Sequence, residues 1–136
     1  SPDPAVCSTV ALALTALDAA LTHLHTPAAY DHMLGTAASL ADGLRDRLRA
    51  AGRPWTVTRL GARLELQFMD HTPRDARDVR DHAQGELEAL THLFMLNRGV
   101  LLTPFHSMML ASPATTAADV QRLLDVFDEL LAALQP

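Results

Sequence analysis

The chain has 136 residues, an apolar content of 49% and a formal net charge of -5, enough for one domain with a sizeable core. No apolar run approaches the ~20 residues that span a bilayer, and no basic stripe overrides the acidic balance, so neither a membrane span nor a nucleic-acid binder is expected. One cysteine, Cys7, excludes an internal disulfide framework and suits a reducing, cytoplasmic compartment. The N-terminus carries no basic region ahead of an apolar run, so no signal peptide is expected.

In chain order, the first predicted element is a helix. Asp3 is a candidate N-cap and Pro4 suits the first helical position. Val10, Leu14, Leu17, Leu21 and Leu24 recur at helical spacing. Thr26-Pro27 repeats the cap-then-proline signal and opens a second helix. Its apolar face is Met33, Leu34, Ala37, Leu40, Leu44 and Leu48, and Gly52 is the expected stop. Arg45, Asp46, Arg47 and Arg49 read as a solvated surface off that face. Trp55 to Arg59 is β-prone. Leu64, Leu66 and Phe68 alternate with Arg63, Glu65 and Gln67, the signature of a half-buried strand. With Gly61 between them, the two segments predict a hairpin, with a glycine bulge as one option.

Asp70 to Gly85 is crowded with charge of both signs and predicts a loop running into an exposed helix start. From Glu86 that helix becomes apolar through Leu87, Leu90, Leu93, Phe94 and Met95, with Gly99 as its stop. Val100 to Thr103 then reads as a buried strand halted by Pro104, because proline lacks the N–H a ladder needs. Phe105-His106-Ser107 makes a corner, and Met108 to Ser112 reads as a further strand ended by Pro113. Thr116 and Asp119 form a capping-box pattern ahead of a stripe of Val120, Leu123, Leu124, Phe127, Leu130, Leu131 and Leu134. Strands gathered in pairs between helices predict an α+β fold. It would be a small antiparallel or mixed sheet of about four strands with helices packed on it.

Chemistry is sparse. All 11 cationic side chains are arginine. Without lysine the chain can form no lysine Schiff base and no Walker-type phosphate loop. The seven histidines give no run of three metal ligands at close spacing. Asp78 and His82 share a helix face, as do Glu88 and His92. Cys7 has no activating base near it in sequence and reads as packing. No nucleophile elbow supports a serine triad. His106 stands apart, because a corner flanked by proline projects its side chain from a rigid scaffold and imidazole titrates near neutrality.

Several segments together resemble a known family. Leu40-Ala-Asp-Gly-Leu-Arg is similar to an Arg-Leu-Ala-Asp-Gly-Leu helix. Val57-Thr-Arg-Leu-Gly-Ala is similar to a Val-Thr-Arg-Val-Gly-Ser strand and turn. Asn97-Arg-Gly-Val-Leu-Leu-Thr-Pro is similar to an Arg-Gly-Val-Tyr-Leu-Ala-Pro strand. Ser1-Pro-Asp-Pro resembles a Ser-Gly-Asn-Pro helix start, and Met109 to Val120 resembles a closing strand and capped last helix. In this order the segments resemble the C-terminal small domain of class III, fold-type I aminotransferases, on the branch of glutamate-1-semialdehyde aminomutase.

The resemblance implies that residues 1–136 are that small domain, with the large domain absent. It implies pyridoxal phosphate as cofactor, held mainly by the large domain, which would supply the Schiff-base lysine. It further implies a homodimer acting on a small-molecule amino donor and acceptor. Within the small domain it points to Phe105 and His106 as substrate contacts, with no catalytic, cofactor-binding or metal residue. The aminomutase has an acidic residue after the corner Phe where this chain has His106, which favours a plain transaminase. No arginine lies between Arg98 and Arg122 to hold a substrate carboxylate. This chain alone is expected to be inactive. The alternative is a standalone, non-catalytic binding or oligomerisation module built on the same fold.

Overall fold

The computed structural model describes residues 4–134, with side chains from Thr9 onward. The Asp3 cap and the Cys7 side chain lie outside the described residues. Two compact units divide the chain, residues 1–32 and 33–136.

In the first unit, α1 runs Pro4–Ala19 and passes into one π-helical turn, Ala20–Leu24, closed by the His25 N–H on the Ala20 carbonyl at 3.0 Å. The predicted leucine spacing forms the helix, but Val10, Leu14, Leu17, Leu21 and Leu24 are exposed. Helix α2 spans Pro27–Ala50. Its predicted cap is present: the Thr26 hydroxyl accepts from the Ala29 N–H at 3.2 Å.

The second unit holds the core. Met33, Ala37, Leu40, Leu44 and Leu48 of α2 are buried, as the periodicity predicts; Ala41 joins them, whereas Leu34, expected on the same face, is exposed. Strands β1 (Thr56–Leu60) and β2 (Arg63–Gln67) pair antiparallel, and Leu60 stands opposite Arg63. Two residues therefore make the turn, with no bulge. Gly61 takes φ +61° at its first position, the type II′ pattern that matches strand twist. Strand β3 (Met108–Leu110) joins the other edge of β2, placing Leu64 against Met109. Val57, Leu64, Leu66 and Met109 are buried together with residues of α2 and of helix α5 (Ala117–Ala133). Arg63 and Glu65 lie on the opposite face, as alternation requires.

Two predicted features differ. Among the described residues the sheet has three strands where about four were expected. Val100 to Thr103 joins no ladder. The reason is competition for its backbone groups. The Val100 N–H goes back to the Met95 carbonyl (2.9 Å) in the Schellman closure of α4 (Gly85–Leu96), and His92 takes the Leu102 carbonyl. The second difference is that the charged segment and α4 are not one helix. Helix α3, Ala76–Asp81, stands apart from α4. The Asp75 carboxylate caps α3, and the Gln84 amide pins the break by donating to the Phe68 carbonyl at 2.9 Å.

Asp78 explains why this segment folds as it does. It is 5% exposed. A buried carboxylate must be paired. Here Arg74 supplies its backbone N–H (3.0 Å) and Nε (3.1 Å), and His71 Nε2 lies 3.2 Å from both carboxylate oxygens. The Arg74 guanidinium hydrogen bond holds the Asp78 carboxyl well below the usual carboxylate range. Hydrogen bonding to Asp70, and then to Asp78, pushes the His71 imidazole up.

Arginines expected to be solvated also bridge elements. Arg45 donates to the Val57 carbonyl (2.9 Å), and Arg47 reaches Asp128 and the Leu124 carbonyl on α5. Helix α5, Ala117–Ala133, carries the expected capping box, in which Thr116 accepts from the Asp119 N–H and Asp119 from the Thr116 N–H. Thr116→Ala is expected to cost about 1 kcal/mol by chemical denaturation. The Thr116 hydrogen bonds lower the Asp119 pKa from 3.8. Its contribution is therefore present above pH 3.8 and lost as pH falls through the lower folded value. The cost of Thr116→Ala should shrink accordingly in acid denaturation series; a cost that stays constant to strongly acid pH would show the Asp119 half of the box to be inert.

Candidate functional site

The corner between Thr103 and Met108 is built by backbone rather than by bulk. His106 has φ +59° and Ser107 φ +39°. Left-handed geometry costs a non-glycine residue about 1–2 kcal/mol, so two in succession persist only where surrounding bonds demand them. Thr103 supplies most of that demand. Its hydroxyl accepts from the Met108 N–H at 3.0 Å and donates to the Phe105 carbonyl at 2.6 Å. The Thr103 N–H reaches the Met108 carbonyl at 3.4 Å. Beneath the corner Ser107 is fully buried, and its Oγ makes no hydrogen bond with the described residues.

The same geometry turns the two predicted residues outward. Phe105 is 57% exposed and His106 is exposed. Their rings meet edge to face with centroids 5.8 Å apart. One aromatic face and one imidazole therefore project side by side from a tied-down turn. Together they can cover an apolar group and exchange a hydrogen bond with a polar one.

His92 positions this corner, and sequence alone gave no reason to single it out. It is half-buried on α4, with Nδ1 2.8 Å from the Leu102 carbonyl. A carbonyl only accepts, so Nδ1 carries the proton. This bond holds the segment that feeds the corner. The signal was long-range: Glu88 and His92 share a face, but the partner of His92 is a backbone group ten residues on.

Beside the corner an apolar groove of about 530 Å³ is lined by Leu40, Leu101, Leu102, Pro104, Val120 and Leu123 among others. Arg122 stands at its edge but donates to the Arg98 carbonyl at 2.7 Å. On α4 the buried residues are Thr91 and Met95, whereas Leu90, Leu93 and Leu96 are exposed. The expected apolar face thus splits. Leu87, Thr91, Phe94 and Met95 pack inward, and the other leucines form an outer apolar row.

No protein-family model matches the chain. Individual relatives do. The chain is 35% identical over 115 residues to a glutamate-1-semialdehyde 2,1-aminomutase of Anaeromyxobacter sp., covering 83% of this chain and 26% of that protein. It superimposes on a crystal structure of a glutamate-1-semialdehyde aminomutase from Pseudomonas aeruginosa in complex with PMP. The TM-score is 0.86 at 44% identity, covering 90% of this chain and 27% of that one. The chain belongs to the class III aminotransferases, on the glutamate-1-semialdehyde aminomutase branch. A β-phenylalanine aminotransferase from Variovorax paradoxus shares the fold, with a TM-score of 0.77 at 24% identity over 87% of this chain. The chain spans about a quarter of the length of the aminotransferases it matches. No described helix is long and apolar enough to cross a membrane.

Proposed function

We propose that this chain is the small domain of a pyridoxal-phosphate enzyme that moves an amino group between an amino donor and a carbonyl acceptor. In this reading its Thr103–Met108 corner forms one wall of the substrate pocket. The observation that carries the reading is the outward pair Phe105 and His106, His106 itself in left-handed backbone, at the position where the resemblance expects substrate contacts.

The residues present do not fit a cofactor-holding role. The chain has no lysine, and the exposed corner presents an imidazole and a phenyl ring with no guanidinium between Arg98 and Arg122. Pyridoxal phosphate, bound by a large domain, would supply the electron sink for amino transfer. What this chain would add is shape and one titratable group. Phe105 would exclude water from the acceptor's apolar part, and His106 would donate to or accept from its polar part. The exposed leucines of the outer row on α4 offer an apolar surface that a large domain would cover, and those of α1, in the other unit, offer a separate one.

The test joins this chain to the large-domain portion of the Pseudomonas aeruginosa aminomutase, in place of that enzyme's equivalent segment. The isolated chain with pyridoxal phosphate is expected to show neither amino transfer nor a lysine-aldimine absorbance, and the fusion is expected to transfer. Within the fusion, His106→Ala should raise the KM for the carbonyl acceptor roughly tenfold, the size of one hydrogen bond to a charged or strongly polar group. An unchanged KM with an unchanged circular dichroism spectrum would remove the corner from the pocket.

A further inference from the structure

We infer that His71, Asp78 and His82 form a binding site for a divalent metal of the zinc class. Their ligand atoms all lie within 4.8 Å of one another. The distances have the right size. A tetrahedral zinc with bonds of about 2.0–2.1 Å separates its ligands by about 3.3–3.4 Å. His71 Nε2 is 3.2 Å from Asp78 Oδ1, and His82 Nδ1 is 3.3 Å from the same oxygen. Two edges of the tetrahedron are therefore already at length. The two rings stand edge to face with centroids 5.0 Å apart, which leaves the third edge to close by side-chain rotation.

The surroundings divide their work as a metal site requires. Asp78 Oδ2 is occupied by the Arg74 backbone N–H and Nε, so the carboxylate is oriented through one oxygen and offers the other. Only Arg74 Nη2, 3.4 Å from Oδ1, must give way, and that side chain is 79% exposed. Behind His71, the Asp70 carboxylate lies 2.9 Å from Nδ1. A carboxylate on the far nitrogen fixes the tautomer that points Nε2 at a metal and raises its basicity. His82 Nδ1 lies 2.8 Å from the Asp78 backbone carbonyl. Binding would move its proton to Nε2, break that bond and release the proton of His71 Nε2 to solvent. Two imidazoles and one carboxylate select zinc, cobalt or nickel over magnesium or calcium, and three protein ligands leave one position for water. The metal would clamp the loop that begins at Asp70 onto α3.

The test uses the whole chain, titrated with zinc chloride by calorimetry and with cobalt(II) by visible absorbance. One-to-one binding and an intense tetrahedral cobalt band are expected. His71→Gln and His82→Gln should each weaken zinc binding by no less than the ~10–100-fold that loss of an outer partner costs, and Asp70→Asn by about tenfold. His23→Gln should leave it unchanged. Circular dichroism checks each variant, and because His82 is half-exposed its variant carries the test should His71→Gln fail to fold. Absence of binding, a weak octahedral cobalt spectrum, or affinity unmoved by His82→Gln would overturn the site.

Discussion

Phe127→Ala is expected to lower the unfolding free energy of this chain by about 3–5 kcal/mol. Phe127 is 1% exposed and heads the fully buried side chains in volume. It lies in the same cluster as Leu44, Leu48, Leu64 and Met95, drawn from two helices and the sheet. Deleting the ring removes its transfer free energy and leaves a cavity that two helices and the sheet would have to move to fill. Domains of this size hold about 5–15 kcal/mol in total, so the loss takes a large share of the whole. Urea denaturation followed by circular dichroism measures it. Leu110→Ala is the control: Leu110 is 65% exposed, and surface changes of this sort stay within about 0.5 kcal/mol. Equal losses at the two positions would mean that the core is not centred on Phe127.

The second expected result is a change of sign between two identical substitutions. At both Gly35 and Gly99 an added Cβ meets nothing within 4 Å. Sterics from neighbours are therefore equal, and only backbone conformation differs. Gly35 sits inside α2, where alanine is the better helix former, and Gly35→Ala is expected to stabilise by about 0.5–1 kcal/mol. Gly99 has φ +78°, and Gly99→Ala is expected to destabilise by about 1–2 kcal/mol. The effect at Gly99 also reaches the corner. Its N–H closes on the Leu96 carbonyl at 3.0 Å, next to the Val100 bond that launches the segment toward Phe105. Gly43→Ala supplies a third comparison, because its Cβ would lie 2.7 Å from Leu124 Cδ1. It should gain less than Gly35→Ala. Thermal and urea denaturation of the three variants decide the matter, and a stabilising Gly99→Ala would contradict the left-handed closure.

What was legible in the sequence was what local chemistry decides. Gly52 and Gly99 end helices because their left-handed conformation closes the last turn within a few residues. The hairpin follows from the alternation of Leu64 and Leu66 with charged neighbours and from Gly61. Thr116 and Asp119 meet across three residues. The corner was legible because Pro104 has no N–H to give a ladder, so the chain cannot continue there as a paired strand. What escaped was decided at a distance. Val100 to Thr103 has strand composition, but strand composition does not create a free partner, and His92 claims a carbonyl the ladder would have needed. Leucines lie on both sides of α4, so periodicity could not say which row Met95 and Thr91 would take inward. The burial of Asp78 depends on His71 folding back over seven residues, and no helical spacing encodes that. The left-handed pair His106 and Ser107 contains no glycine to announce it.

Strand β3 has a consequence for the order in which the protein acquires its shape. Strands β1 and β2 meet across two residues, whereas Leu64 finds Met109 only after α3, α4 and the corner have intervened. Closing so long a loop costs chain entropy before any contact repays it. The hairpin therefore forms early and β3 arrives late. Val57→Ala should slow refolding, while Met109→Ala should mainly hasten unfolding; the reverse pattern in stopped-flow kinetics would refute this order. Until β3 arrives, the open edge of β2 presents unpaired N–H and C=O groups to any other nascent chain. Pairing of Met108 to Leu110 with β2 closes that edge.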